Sequence, residues 1–428
     1  MPNAFSREER VAFENLLEGF QDALVLSNVV DRYRVPDVEM ARSGDIIWRP
    51  MPYIIQSFDG LNQTANFADK TQLSVPATIG FHKSAPWQMD ANELRDALQE
   101  NRLGDAARQR IASDINVAIT NVASLHGTIV VKRTAAASGF DDVAQCEAGM
   151  NEIGVPQGDR HIGISTRDYN GMASNLASRG TMAGRPENAY GRALIGNDIA
   201  GFAAYKMDYT PRLAACVPGT GTVVNGANQR YVPRATSTAG TGEVQNVDNR
   251  YQTINITVGA GGAWKAGDSF TLAGVNAVHQ ITKADTGQLK TFRLISITSG
   301  GGTAGANVWV ISPPIIAADS SPTQAEQQYK NVTATPANGA ALTALNTAAG
   351  FLNPFFHKNA LEILPARLAV PTESGAAVMR GSTDQGFELV MVKQFDINTM
   401  ITKYRLDCRF GVVNKQPEMS GIVMFSQP

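Results

Sequence analysis

The chain has 428 residues, of which 43% are hydrophobic and 18% charged, and its formal net charge is −2. That length exceeds one ordinary core, so two or three domains are expected. A charge so close to zero excludes the basic excess of a dedicated nucleic-acid binder and favours association over mutual repulsion. The 3 cysteines, Cys146, Cys216 and Cys408, are too scattered for a disulfide framework or a zinc site and read as buried free thiols. The start, MPNAFSREER, carries charge where a signal peptide needs an apolar core. No apolar run approaches the ~20 residues of a membrane span, so the product is expected to be made in the cytosol and to stay out of membranes.

In chain order, residues 5–27 predict an amphipathic helix, with Phe13, Leu16, Leu17, Phe20 and Leu24 at helical spacing and Ser6 with Glu9 as a capping box. Residues 46–81 are extended and broken by Pro50, Pro52 and Pro76, which suits a two-stranded arm better than a core sheet. The middle of that arm, SFDGLNQTANFADK, is polar and turn-rich, and its tip is read as lacking apolar anchors. Residues 89–127 predict a long helix: Leu103, Ala107, Ile111, Ile115, Ala118, Val122 and Leu125 form its stripe, Asp90 its N-cap and Gly127 its end. Short helices and strands are expected over 141–215. From there to about Pro336 the signal is almost wholly β, with strands at 253–258, 269–272, 291–297 and 307–311 and one short helix at 323–329. Residues 253–258 and 269–275 read as two arms of a hairpin around the glycine-rich turn 259–262. After residue 340 mixed α and β character returns, so the β module is an insertion within another domain.

No constellation of catalytic residues emerges. The 5 histidines are dispersed, no HExxH or G-x-S-x-G occurs, and no lysine follows a glycine as a Walker loop requires. The run Gly259-Ala260-Gly261-Gly262 fails the dinucleotide pattern, because Trp264 stands where the last glycine should be. Adjacent Asp141 and Asp142 read as a solvated turn rather than as metal ligands. No cofactor is expected, and the chain is read as a non-enzyme.

The order of these parts, together with several stretches, resembles the major capsid (coat) proteins of short-tailed double-stranded DNA phages whose Hong Kong-type fold carries an inserted domain. ARSGDIIWRPMPY (41–53) is similar to the lead into that branch's extended loop, and PENAYGRALIGNDIAGF (186–202) to its peripheral-to-axial segment. VDNRYQTINIT and KAGDSFTLAGV resemble strands of its inserted barrel, and SPTQAEQQYKNV (321–332) the way out of it. FFHKNALEILPARLAVP and RFGVVNKQPEMSGIVM are similar to its closing core strands. The likeness implies an α+β fold with an N-terminal helical arm (1–40), an extended β-hairpin loop (41–85), a peripheral domain with the spine helix (86–140) and an axial domain (141–220). A six-stranded-type β-barrel (221–336) follows, and the axial and peripheral domains resume over 337–428.

The resemblance also implies a structural protein of the virion capsid, assembled in the host cytoplasm. Its partners would be itself, as hexamers and pentamers, a scaffolding protein, a portal protein and packaged double-stranded DNA held by weak non-specific contact. Glu14, Glu18 and Asp22, four residues apart on the first helix, are candidates for contact with a basic scaffolding helix; the bland reading is a solvated face. The barrel loop 233–246, which in this family crosses between capsomers with many charges, holds only Arg234 and Glu243 as candidate contacts. Two other classes stay open. A β module binding sugars or proteins would use exposed aromatics, for which Tyr251, Trp264 and Trp309 are available although barrel core is the commoner fate of such residues, and an enzyme of a new type would need a polar cluster assembled in space.

Overall fold

A computed structural model of the chain describes residues 7–23, 26–34, 46–55, 57, 59–64, 67, 69–90, 93, 97–178, 198–369, 375–383 and 385–428. The fold divides into two compact units. One takes Met1–Ile47, Ala77–Ile119 and Leu361–Val413, and the other Trp48–Pro76, Thr120–Ala360 and Asn414–Pro428.

In the first unit, helix α1 (Arg7–Ala23) buries Phe13 and Leu16, as their spacing requires. A Cβ on Gly381 would stand 2.8 Å from the Phe13 ring, so the bare backbone of that strand is what seats the helix. The expected capping serine, Ser6, lies outside the described residues, and Glu9 pairs with Lys393. The sheet under α1 runs in the order Asp31–Arg32, Leu361–Ala366, Ile401–Asn414, Glu388–Asp396, Ala377–Ser382, and Ile401–Asn414 also pairs with Phe81–Met89. Residues 81–85 therefore belong to this sheet and not to the arm. Tyr404, Leu406, Cys408 and Phe410 are buried at every second position, and Phe81 stacks on Phe410 with ring centroids 5.3 Å apart.

Met89 ends that strand, and the long helix, α2, is described over Ala97–His126. Asp90 still makes the reciprocal bonds of a capping box. Its Oδ1 accepts from Glu93 N at 2.8 Å, and its own N–H donates to the Glu93 carboxylate at 3.1 Å. Ala107, Ile111, Ile115 and Ala118 are buried, yet Leu125 is 38% exposed. Ile111, Ala118 and Leu125 repeat every seventh residue, and a straight helix drifts ~20° per heptad, so the stripe turns off the buried face near its end. Ile119 and Ala123 are buried there instead.

The second unit is centred on a sheet ordered Ile129–Lys132, Ser420–Met424, Asn353–His357, Arg160–Ser165, Phe202–Met207, Asp198–Ile199. Helices α3 (Phe140–Ile153) and α4 (Thr166–Ser178) contribute Val143, Cys146, Met150 and Met172 to its core, beside Ile162, Phe202 and Phe355. Asp142 is no solvated turn residue. It is 1% exposed, pairs with Arg133 at 2.7 Å, and accepts from Ser138 N at 2.7 Å at the start of α3, where a carboxylate suits the helix dipole. Gly127 ends α2 by close approach: a Cβ there would lie 2.8 Å from Ala123 O and 3.0 Å from Gly421 N.

The insertion leaves this unit between Arg212–Leu213 and Gly350–Phe351, which pair antiparallel. Its six strands are β1 (Val223–Val224), β2 (Gln252–Ala263), β3 (Ser269–Val278), β4 (Asp285–Ser299), β5 (Thr303–Ser312) and β6 (Leu342–Ala344), hydrogen-bonded in the order β1-β2-β5-β4-β3-β6. The bridge Val223↔Ala341 and the bond from Leu342 N to Thr222 O at 3.1 Å close the sheet into a barrel. β6 lies past Pro336, so a fragment of the barrel must run beyond that residue to carry its closing strand.

The strands were legible, but the hairpin of 253–258 with 269–275 does not form. β2 pairs with β5, from Gln252 opposite Ile311 to Ala263 opposite Thr303, and 259–262 is an irregularity within β2 rather than a turn. The glycines answer to a passing backbone, since a Cβ on Gly259 would fall 2.0 Å from Thr220 O. Helix α5 (Gln324–Tyr329) has the capping box its sequence shows, with Thr323 Oγ1 accepting from Glu326 N at 3.2 Å and Thr323 N donating to Glu326 Oε2 at 2.7 Å.

Candidate assembly interface

The described residues hold no group of three or more His, Cys, Asp or Glu placed to bind a metal, and none of their helices is long and apolar enough to cross a membrane. The three thiols are buried and free. Burial, with Asp407 and Glu388 nearby, pushes Cys408 up to about 12, and burial raises Cys146 and Cys216 as well, which disfavours the thiolate. Two of the aromatics that a sugar-binding face would need are in the barrel core. Trp264 is 2% and Trp309 0% exposed, 5.0 Å apart, while Tyr251 lies under the Arg250 guanidinium at 5.0 Å. Neither tryptophan reaches the exposed surface.

In the second unit that surface has two projecting pieces. Ile46–Pro50 pairs with Ser74–Thr78, and between them the chain exposes Ile55 at 67%, Leu61 at 106% and Phe67 at 85%. The expected arm therefore carries apolar residues near its tip, against the reading that it lacks them. The sequence held the signal, since large apolar residues in a proline-bounded, turn-rich stretch have no local partner to bury them. The second piece is the barrel loop, where Thr236–Thr238 pairs with Val244–Asn246 as a small hairpin. Asn249 braces its base by accepting from Arg234 N at 3.1 Å and donating to Arg234 O at 2.9 Å. Arg234 and Glu243 are both exposed and form no ion pair among the described residues, and Val244 is 62% exposed.

In the first unit, Glu14 is exposed on α1, away from buried Phe13 and Leu16. Glu18 and Asp22 are within the helix, but their side chains lie outside the described residues. The hairpin between Glu388–Asp396 and Ile401–Asn414 exposes Ile397 at 78% and Met400 at 55%, a feature that the sequence reading missed.

One half-buried group of the second unit leads to an expected pH dependence. His126, at the end of α2, is lowered from 6.5 to about 4 by burial and by Arg250 and Arg293, and its Nδ1 lies 3.4 Å from Tyr251 Oη. A histidine held neutral in the folded state contributes stability that is complete above 6.5 and is lost as pH falls toward 4. Denaturant melts at pH 7 and pH 5 should show the loss in the wild type and a smaller one in His126→Gln; equal losses would assign the effect elsewhere.

The model of the family described as "P22 coat protein - gene protein 5" matches residues 1–426. Among solved structures, the CUS-3 coat protein I-domain is 37% identical, with 29% of this chain and 94% of that chain covered and a TM-score of 0.22. A Mycobacterium phage Che8 structure is 10% identical, covering 94% of this chain and 90% of that one, at a TM-score of 0.43. A satellite phage P4 procapsid that includes the size determination (Sid) protein is 6% identical, covering 96% and 90%, at a TM-score of 0.40.

Proposed function

Since the chain belongs to the P22 coat protein family, and is thus a structural major capsid protein of a tailed phage that forms the virion capsid, we propose how its copies come together. Hexamers and pentamers would close into a procapsid around a scaffolding protein, which leaves as double-stranded DNA enters through a portal and the shell expands. Peripheral and axial domains are assigned to 86–140, 141–220 and 337–428, as in the family pattern. What supports this reading is the exposed apolar set on the arm, Ile55, Leu61 and Phe67. Large side chains left to water on so slender a segment need a neighbouring copy to cover them. DNA contact would be weak and strongly salt-dependent, through dispersed Lys and Arg, given a net charge of −2. Arg234 and Glu243 are proposed to lie between capsomers, where a hairpin with two charges gives that contact little sensitivity to salt.

The acidic stripe Glu14, Glu18 and Asp22 is proposed to receive the scaffolding protein. Exposed ion pairs of ~0.2–1 kcal/mol each suit a contact that must later be released. Co-expression of the full chain with its scaffold, viewed by electron microscopy, should give closed shells. The triple Lys variant should fold and yet give few or none, and raised salt should weaken wild-type assembly. Normal shells at normal yield from that variant would reduce the stripe to a solvated face, and absence of shells from the wild type would overturn the assembly scheme.

A further inference from the structure

The arm is rooted on the barrel through a few identifiable atoms. Tyr329, the last residue of α5, donates its hydroxyl to Thr71 O at 2.8 Å. Gln328 brackets the same residue: its Oε1 accepts from Thr71 N at 3.3 Å, and its Nε2 donates to Thr71 O at 3.4 Å. Leu73 is 2% exposed and packs on Ile316 and Tyr329, with Met51 and Ile54 from the outgoing side of the arm against them. Met51 N donates to Leu73 O at 2.8 Å, so fixing the returning strand also fixes the outgoing one. A second hold lies further along. Arg250 grips Asp248 as a fork at 2.9 and 2.7 Å and reaches Pro76 O at 3.5 Å, while Ser74 bridges to Asp248.

We propose that the inserted barrel sets the direction of the arm within a single subunit, with Gln328 and Tyr329 as the positioning residues. The pattern of burial carries this. Burial is deep at Leu73, which packs on Ile316 and Tyr329, and gives way to full exposure at Leu61 and Phe67. The hold is made on the main chain of Thr71, so it fixes a path for the strand whatever side chain stands there. A pre-aimed arm presents its apolar residues to a second copy at a higher effective concentration than one that sweeps freely. The sequence at α5 is built for the task. Its capping box fixes the start of the helix, and Glu326, 0% exposed, lies 3.5 Å from Arg230, so Gln328 and Tyr329 emerge from an anchored turn.

The test uses the full chain with Tyr329→Phe and Gln328→Leu combined, which keeps the packing on Leu73 and removes the three bonds to Thr71. Hydrogen exchange on the free subunit should be about tenfold faster at the Met51 and Thr71 amides, while amides of β3 and β4 keep their wild-type rates. Shell formation with scaffold should be slower. Should the double variant fail to fold, Tyr329→Phe alone is expected to give about a fivefold change at the same two amides. Unchanged exchange at Met51 would overturn the proposal. So would acceleration shared by β3 and β4, which would make these residues part of barrel stability only. The exchange result does not depend on shells forming, so it fails or stands apart from the capsid assembly scheme.

Discussion

Gly421→Ala should destabilise the subunit by about 3 kcal/mol or more, the upper end of what overpacking a core costs. Gly421 lies in the middle of the central sheet of the second unit, with Ile129 as its parallel partner and Phe355 as its antiparallel one. An added Cβ would fall 2.3 Å from Ile129 O, 2.5 Å from Phe355 Cζ and 2.7 Å from Ile129 Cβ. Two of those atoms are backbone or bound directly to it, and Phe355 is 0% exposed in the core against Phe202. No flexible side chain is available to swing away. The full-length variant should melt several degrees lower or be recovered as aggregate, and a melting midpoint equal to wild type would show that the sheet can slide to admit a methyl group.

Trp309→Ala should cost about 3–5 kcal/mol, the range for removing a large aromatic from a well-packed core. Trp309 is 0% exposed, with Trp264 at 5.0 Å and Phe270 at 5.8 Å, so truncation opens a void bounded by rings that cannot collapse into it. Trp309→Phe separates volume from polarity. The indole Nε1 meets no acceptor among the described residues, and a buried donor without a partner carries a penalty of about 1–3 kcal/mol. The phenylalanine variant sheds that penalty and should lie much closer to wild type than its lost volume suggests. Urea titrations of the two variants give the comparison; a phenylalanine variant that loses as much as the alanine one would overturn it.

Local signals were legible and non-local ones were not. β-Branched and apolar residues locate part of each of β2 to β5, though the strands run further than the signal, and Thr323 with Glu326 marks the start of α5, because each depends on neighbours in sequence. Pairing partners depend on closure of the whole sheet, so the glycines at 259–262 were mistaken for a turn although β2 runs through them to meet β5. Asp142 looked solvated for the same reason, since Arg133, its partner, is held nearby only by the fold. Of the candidate contact residues, Glu14, Arg234 and Glu243 are exposed, as charged side chains without a local partner should be. The polar average of the arm hides its apolar residues. Leu61 and Phe67 stand out only when each is asked what could bury it.

The short ladder of Arg212–Leu213 with Gly350–Phe351 has a consequence for how such a chain can change over time. Just beyond it, Cys216 N donates to Asn346 O at 2.8 Å, so the two connections to the barrel run side by side. To the sheet that receives them, the whole insertion is one crossing whose ends are already together. The entropy of closing a loop grows only with the logarithm of its length, so an entire domain strains that sheet little more than a short turn would. The barrel is therefore a portable part. It can be exchanged, enlarged or removed at this crossing while the host strands keep their register.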